Sequence, residues 1–422
     1  MKVTFTKTIE RGISTLINEF DKIKTITEDG KIEFEKIKFE ELKWILLSHM
    51  KFDKCISSIN KEYITHRGIE RYFESKSSDL LKVIKDEVKS HYSIKQQDYY
   101  ILTSLSIESL PFSTVNVNSS EIIFAGKKFP EKFDQVRKSI YSINFPKKEE
   151  NDFLKVIIKI KGDDPFDSCA RGLRDLDIFR SFLSFTVNPS ISTEFKARYE
   201  NPINKILCGQ FITLHKDSGD SFSPYIHWRN RSKDDEITKY SLSLEERERV
   251  EEDVNWYLEK FTRCQKDHKN ELEEILIQLV RANDENDKHI CFLRGWTIME
   301  RLAGTHDNDT LIKRYKAYFH DDIKPIESLK MEGLRSFRNE FVHSGENNLD
   351  AHIHAYQVFV CIHRLICFLN MENAGFFKDI NESVIFLDHM RKRPNEIMRE
   401  QEILEKVSLL KPYFVNNVER NS

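Results

Sequence analysis

None of the seven cysteines, Cys55, Cys169, Cys208, Cys264, Cys291, Cys361 and Cys367, forms a Cys-x-x-Cys pair, and their number is odd. This speaks against a zinc ribbon or a disulfide framework and for reduced, mostly buried thiols. The opening residues, Met1-Lys2-Val3-Thr4-Phe5-Thr6-Lys7, carry no apolar run of the signal-peptide kind, and the most apolar stretch, 358–369, is interrupted by His363 and Arg364. The expectation is a cytoplasmic protein without a membrane span. A basic surplus is missing too, since 66 Lys and Arg stand against 69 Asp and Glu, a formal charge of −3. Proteins that coat nucleic acid draw affinity from phosphate neutralisation. Any RNA contact here therefore has to be local, a small basic cleft selective for a loop or single-stranded element. There is no glycine-rich phosphate loop, no Ser or Cys nucleophile signature and no paired-carboxylate metal motif, so kinase, ATPase and DNase chemistry find no support. Nothing in the sequence calls for a cofactor or a metal.

At 422 residues, 39% hydrophobic and 32% charged, the chain is long enough for two or three cores. The pattern is that of an α+β protein in which a mixed helical and β region precedes an all-α C-terminal part. Residues 1–95 read as mainly helical, with 41–47 and 79–84 as the clearest helices. From 96 to 235 the reading is mixed. Residues 99–103, 122–124 and 155–161 are rich in β-branched and aromatic side chains and predict strands, punctuated by Pro111, Pro130 and Pro146. Leu173, Leu176, Phe179 and Leu183 recur at helical spacing, and 205–214 predicts a further strand. The polar stretch 216–240 reads as a surface loop or linker; Trp228, Arg229, Arg231 and Lys233 within it are open to either a solvated charged face or RNA stacking. Residues 241–422 predict a helical domain. Ser243 and Glu246 have capping-box spacing before a stripe of Val250, Val254, Tyr257 and Phe261. Four more helices follow, marked by Leu272–Leu279, by Phe292–Ala303, by residues 326–343, and by Ala355–Leu369, with Asn347 and Asn348 predicting the last turn between them.

The third of these stripes concentrates the chemistry. In Leu334-Arg335-Ser336-Phe337-Arg338-Asn339-Glu340-Phe341-Val342-His343-Ser344-Gly345, the residues Leu334, Phe337 and Phe341 form an apolar face, while Arg335, Asn339 and His343 form another. A guanidinium binds a phosphate through paired charge-assisted hydrogen bonds, and an imidazole moves protons at a ribose 2′-OH or a leaving 5′-oxygen, with no metal required. Arg-x4-His alone is a weak signal among 14 histidines. Arg263/His268 and Arg301/His306 share the spacing and Arg314/His320 a looser one. Arg338/His343 stands apart through Asn339, the phenylalanines and the Ser344-Gly345 stop; the plainer alternative is an exposed polar helix face. On a regular helix Arg338 and His343 point about 140° apart, so one chain does not converge both on a phosphate unless the helix unwinds or the arginine bends round. The helix marked by Trp296 and Glu300 lies nearby in sequence, and Glu300 is a candidate supporting carboxylate for His343 or Arg338. His352, His354 and His363 share one helix but give only a partial face and no convincing metal set.

Residues 265–375, through the phrase 338–345 together with Trp296 and Glu300, resemble the HEPN superfamily, and within it the ApeA-like HEPN group of bacterial antiphage proteins. The resemblance implies a helix bundle that pairs two Arg-Asn-x3-His motifs across a twofold dimer interface. It implies a metal-independent endoribonuclease with Arg338 and His343 catalytic and Asn339, Arg335 and Glu300 in support, leaving 2′,3′-cyclic phosphate ends. It further implies tRNA or other translation-related RNA as substrate, abortive antiphage defence as purpose, and a phage-derived trigger sensed by residues 1–235. The alternative is a non-catalytic dimerisation or ligand-binding module, as some members of the superfamily are.

Overall fold

The structure, a computed structural model, describes residues 3–28, 31–52, 56–75, 77, 79–92, 96–144, 152–188, 202–222, 227–229, 238–344 and 351–418; for 141–144, 227–229, 343–344 and 407–418 the description is of the backbone alone. The chain divides into two compact units, one of residues 1–176 with 208–239 and one of residues 177–207 with 240–422. The three stretches that composition separates thus reduce to two. The stretch 177–207, read with the mixed region, belongs with the C-terminal helices.

The first unit opens with β1 (Val3–Phe5), α1 (Lys7–Ile23), β2 (Lys24–Ile26), β3 (Ile32–Phe34), α2 (Lys36–Ser48), β4 (Met50–Phe52), α3 (Ser58–Ser75) and α4 (Leu80–His91). Phe20, Phe39, Leu46, Ile64, Ile69, Leu80 and Ile84 form its core. The antiparallel ribbons β1–β4 and β2–β3 are additions to the mainly helical expectation. At three residues each they are too short to show a period of two, so no alternation betrays them.

Next come β5 (Gln97–Leu105), β6 (Thr114–Val117), β7 (Ser120–Gly126), α5 (Glu131–Asn144), β8 (Leu154–Gly162), α6 (Pro165–Val187), β9 (Phe211–His215) and β10 (His227–Arg229). The strands make one six-stranded sheet in the order β10-β9-β5-β8-β7-β6, antiparallel throughout. Side chains alternate between its faces. Tyr100, Leu102 and Ile157 pack with Phe129 and Phe133 on the α5 side. Ile101, Ile158 and Ile160 meet Gly172 of α6, where a Cβ would come within 2.4 Å of the Ile101 methyl. Buried Arg137 of α5 ties the sheet together by donating to the Leu102 carbonyl at 3.1 Å, the Phe211 carbonyl at 2.9 Å and the Thr213 hydroxyl at 2.9 Å. The strand expected over 205–214 is only half right, because before Phe211 the chain makes a single bridge at Cys208. Part of the expected 216–240 loop is strand β10; Arg231 and Lys233 lie outside the described residues, as do the side chains of Trp228 and Arg229.

The second unit is helical: α7 (Leu244–Arg263), α8 (Lys266–Asn283), α9 (Lys288–Leu302), α10 (Asn308–Ala317), α11 (Lys324–Ser344), α12 (Ala351–Ile366) continuing as a π-helical turn (Cys367–Glu372), α13 (Ile380–Met390) and α14 (Pro394–Val418). The Ser243/Glu246 capping box is present, and Val250, Val254, Tyr257 and Phe261 are the residues α7 buries. Phe182, in the last part of α6, stacks on Tyr257 with centroids 5.4 Å apart. In α9, Gly295 sits against Val358 of α12, where a Cβ would lie 2.7 Å from a methyl carbon. The segment Ala351–Glu372 is long and apolar enough to cross a membrane. Ala355, Val358, Phe359, Ile362, Ile366 and Leu369 are instead part of this unit's core. The 347–348 turn lies outside the described residues.

Candidate active site

Helix α11 carries the Arg-Asn-x3-His segment, and its partners fix how it lies. Glu327 meets Arg364 at 2.8 Å, Met331 meets Cys361 with sulfurs 4.0 Å apart, and Phe337 meets His354 with ring centroids 4.3 Å apart. Rising numbers on α11 against falling numbers on α12 make the two antiparallel. By the same reasoning α9 is antiparallel to α11, since His289 stacks on Phe341 at 4.6 Å and Phe292 meets Phe337 edge-on at 4.7 Å. Met331, Leu334 and Phe337 are buried. Phe337 is the packing centre of the motif, enclosed by Phe292, His289 and His354.

The far end of α11 is anchored by charge. The carboxylate of Glu327, 7% exposed, accepts from Lys330 at 2.7 Å, from Arg364 at 2.8 Å and from the Tyr315 hydroxyl at 3.1 Å. Burial alone would push this carboxyl up, but Lys330 and Arg364 more than offset it and hold it below the usual glutamate range.

Arg338 is half-buried, and its one partner among the described residues is the side-chain oxygen of Asn339, 3.3 Å from Nη1. No carboxylate among those residues neutralises it. Arg335, one turn earlier, differs: Nη1 lies 2.5 Å from Asp309 Oδ1 of α10 and Nε 3.2 Å from Glu332 Oε2. Glu300 does not reach the motif. Its oxygens take the Trp296 indole N–H at 3.1 Å and pair with His306 Nδ1 at 3.1 Å. It also sits eight residues beyond Phe292, about 12 Å of helix rise away from Phe337 and toward the opposite end of α11. The His343 side chain lies outside the described residues. Its backbone, however, is in regular helix that runs on to Ser344. The helix does not unwind, so the angle of about 140° between Arg338 and His343 stands.

At least one member of each competing Arg/His pair is engaged elsewhere. Arg263 pairs with Glu259 and buried His268 with Asn370; His306 holds Glu300; Arg314 grips Asp388 at 2.9 and 2.6 Å. His363 faces inward, stacked on Phe185 at 4.3 Å and hydrogen-bonded to the Tyr257 hydroxyl at 2.9 Å. Burial pushes its imidazole down to about 4, so it is a neutral core residue.

Three residues beside the motif escaped the sequence reading: His289, His354 in this role, and Asp309. The first two reach Phe337 and Phe341 from other helices, and no spacing along the chain marks such a meeting. Helix α10 was legible in principle. Asp307 caps the Thr310 N–H, and Leu311, Ile312 and Tyr315 are buried at helical spacing. No family model, no curated protein and no solved structure matches this chain.

Proposed function

We propose that the helical unit is a metal-independent endoribonuclease of the HEPN kind, acting on tRNA or other translation-related RNA in antiphage defence. The observation that carries this reading is Arg338, a half-buried guanidinium that meets no carboxylate among the described residues. A guanidinium with no carboxylate neighbour keeps its donors available for a phosphate. In the reaction, His343 takes the proton of the ribose 2′-OH, whose oxygen attacks phosphorus. Arg338 holds the pentacoordinate phosphate, and the 5′-oxygen leaves with a proton from an imidazolium. The products are a 2′,3′-cyclic phosphate and a 5′-OH. Asn339 orients Arg338, and Glu300 supports the fold rather than the reaction.

The unbroken helix argues for a second copy, because one chain turns Arg338 and His343 apart. A strip on α11 fits that need: Leu329 is 69% exposed, Ile326 60%, and a Cβ on Gly333 would meet nothing within 4 Å. With Ser336 and Glu340 this strip lies within about 100° of His343 around the axis. Twofold pairing along it would bring two His343 side chains together. Residues 1–235 would sense the trigger or restrain cleavage.

The test is incubation of wild type, Arg338→Ala and His343→Ala with total bacterial RNA in EDTA, with and without phage lysate, followed by end-group mapping. Cleavage by wild type alone, leaving cyclic phosphates, is the expected result. Intact RNA in every reaction would move the non-catalytic binding module ahead.

A further inference from the structure

Arg335 and Arg338 stand one turn apart on α11, about 60° around its axis, in opposite electrostatic settings. Two of the three guanidinium nitrogens of Arg335 already face carboxylates, Nη1 at Asp309 and Nε at Glu332, whereas Arg338 faces none among the described residues. A carboxylate offers a guanidinium the same pair of oxygens that a phosphate does. Asp309 is 67% exposed in its side chain and belongs to a different helix, α10, so it can swing into solvent without disturbing α11. We propose that Arg335 binds the phosphate adjacent to the scissile one, and that Asp309 is an internal stand-in for that phosphate which RNA has to displace. This rests on the ribonuclease reading and adds to it a second phosphate subsite with a built-in competitor.

Two considerations favour competition over a purely structural ion pair. An exposed pair contributes little to stability, so the fold does not depend on it. A phosphate diester also brings the helix a second contact at Arg338, and that link makes the exchange favourable.

The experiment is steady-state cleavage of bulk tRNA by the full-length protein, comparing wild type with Asp309→Asn, Arg335→Gln and the double variant. Asp321→Asn serves as a remote charge control, since Asp321 is 87% exposed and its one ion pair among the described residues is with Lys324. The expected result is a KM lowered about threefold by Asp309→Asn with kcat unchanged, in keeping with the release of one exposed ion pair. In the Arg335→Gln background the same change should leave KM as it is. An equal drop in that background, a matching drop from Asp321→Asn, or no drop at all would each overturn the proposal. Cleavage that disappears with His343→Ala yet ignores Asp309 sinks this proposal alone; RNA left intact by wild type sinks the ribonuclease reading and this with it.

Discussion

Replacing Glu327 by Gln removes a charge from the anchor of the motif helix while keeping its shape. The native carboxylate is nearly buried and takes four hydrogen bonds, two from Lys330 Nζ at 2.7 Å and one each from Arg364 at 2.8 Å and Tyr315 at 3.1 Å. Breaking a fully buried pair costs about 3–5 kcal/mol. Here the cations are 23% and 39% exposed, so water recovers part of the loss and about 2 kcal/mol is expected. In a domain of this size that lowers Tm by roughly 4–8 °C. The pH dependence follows from the direction of the shift. The folded carboxyl titrates below its unfolded value of about 4.3, so its contribution is complete above that pH and fades as pH falls through the folded value. Thermal melts of wild type and Glu327→Gln followed by circular dichroism should therefore differ more at pH 7 than at pH 3. A gap of the same size at both pH values would refute the electrostatic account, leaving packing around Tyr315 as the cause. No gap at pH 7 would show that α11 needs no such anchor.

Phe337→Ala should cost about 3–5 kcal/mol, since it empties a site enclosed by Phe292, His289 and His354; denaturant titration gives the value, and a loss under 1 kcal/mol would mean the motif helix does not pack as described. Leu329→Asp places a charge in the exposed strip of α11. It should leave the melting curve of the chain within about 1 kcal/mol of wild type while shifting sedimentation from dimer to monomer and abolishing RNA cleavage. A monomeric variant that still cleaves would separate activity from pairing.

What the sequence reveals of the fold depends on how local each cause is. The α7 helix is announced in full: Ser243 and Glu246 cap it and four residues at helical spacing are the four it buries. Strands β5, β7 and β8 are equally visible, because runs of β-branched and aromatic residues leave little other choice. The three-residue ribbons among residues 1–95 are not, since their pairing is decided by the helices that flank them. Nor does anything local mark the change of unit inside α6. Asp177, Arg180 and Ser181 turn to the helical unit only because Arg281, Asp284 and the Leu276 carbonyl, about a hundred residues later, receive them in turn.

The candidate site divides along the same line, and the division bears on function. Adjacent residues on one helix, Arg338 and Asn339, interact as their spacing implies. Glu300 was a candidate support because it lies one helix away from the motif, but the antiparallel course of α9 carries it toward the other end of α11, where His306 and the Trp296 indole satisfy it. Arg335 was grouped with Asn339 and His343 on one helix face, yet Asp309 engages it, and only the fold of α10 brings that carboxylate there. Among the described residues, Arg338 thus meets no carboxylate while Arg335 meets two. Under the ribonuclease reading, the asymmetry between two arginines one turn apart separates an open phosphate subsite from one that already holds acidic side chains.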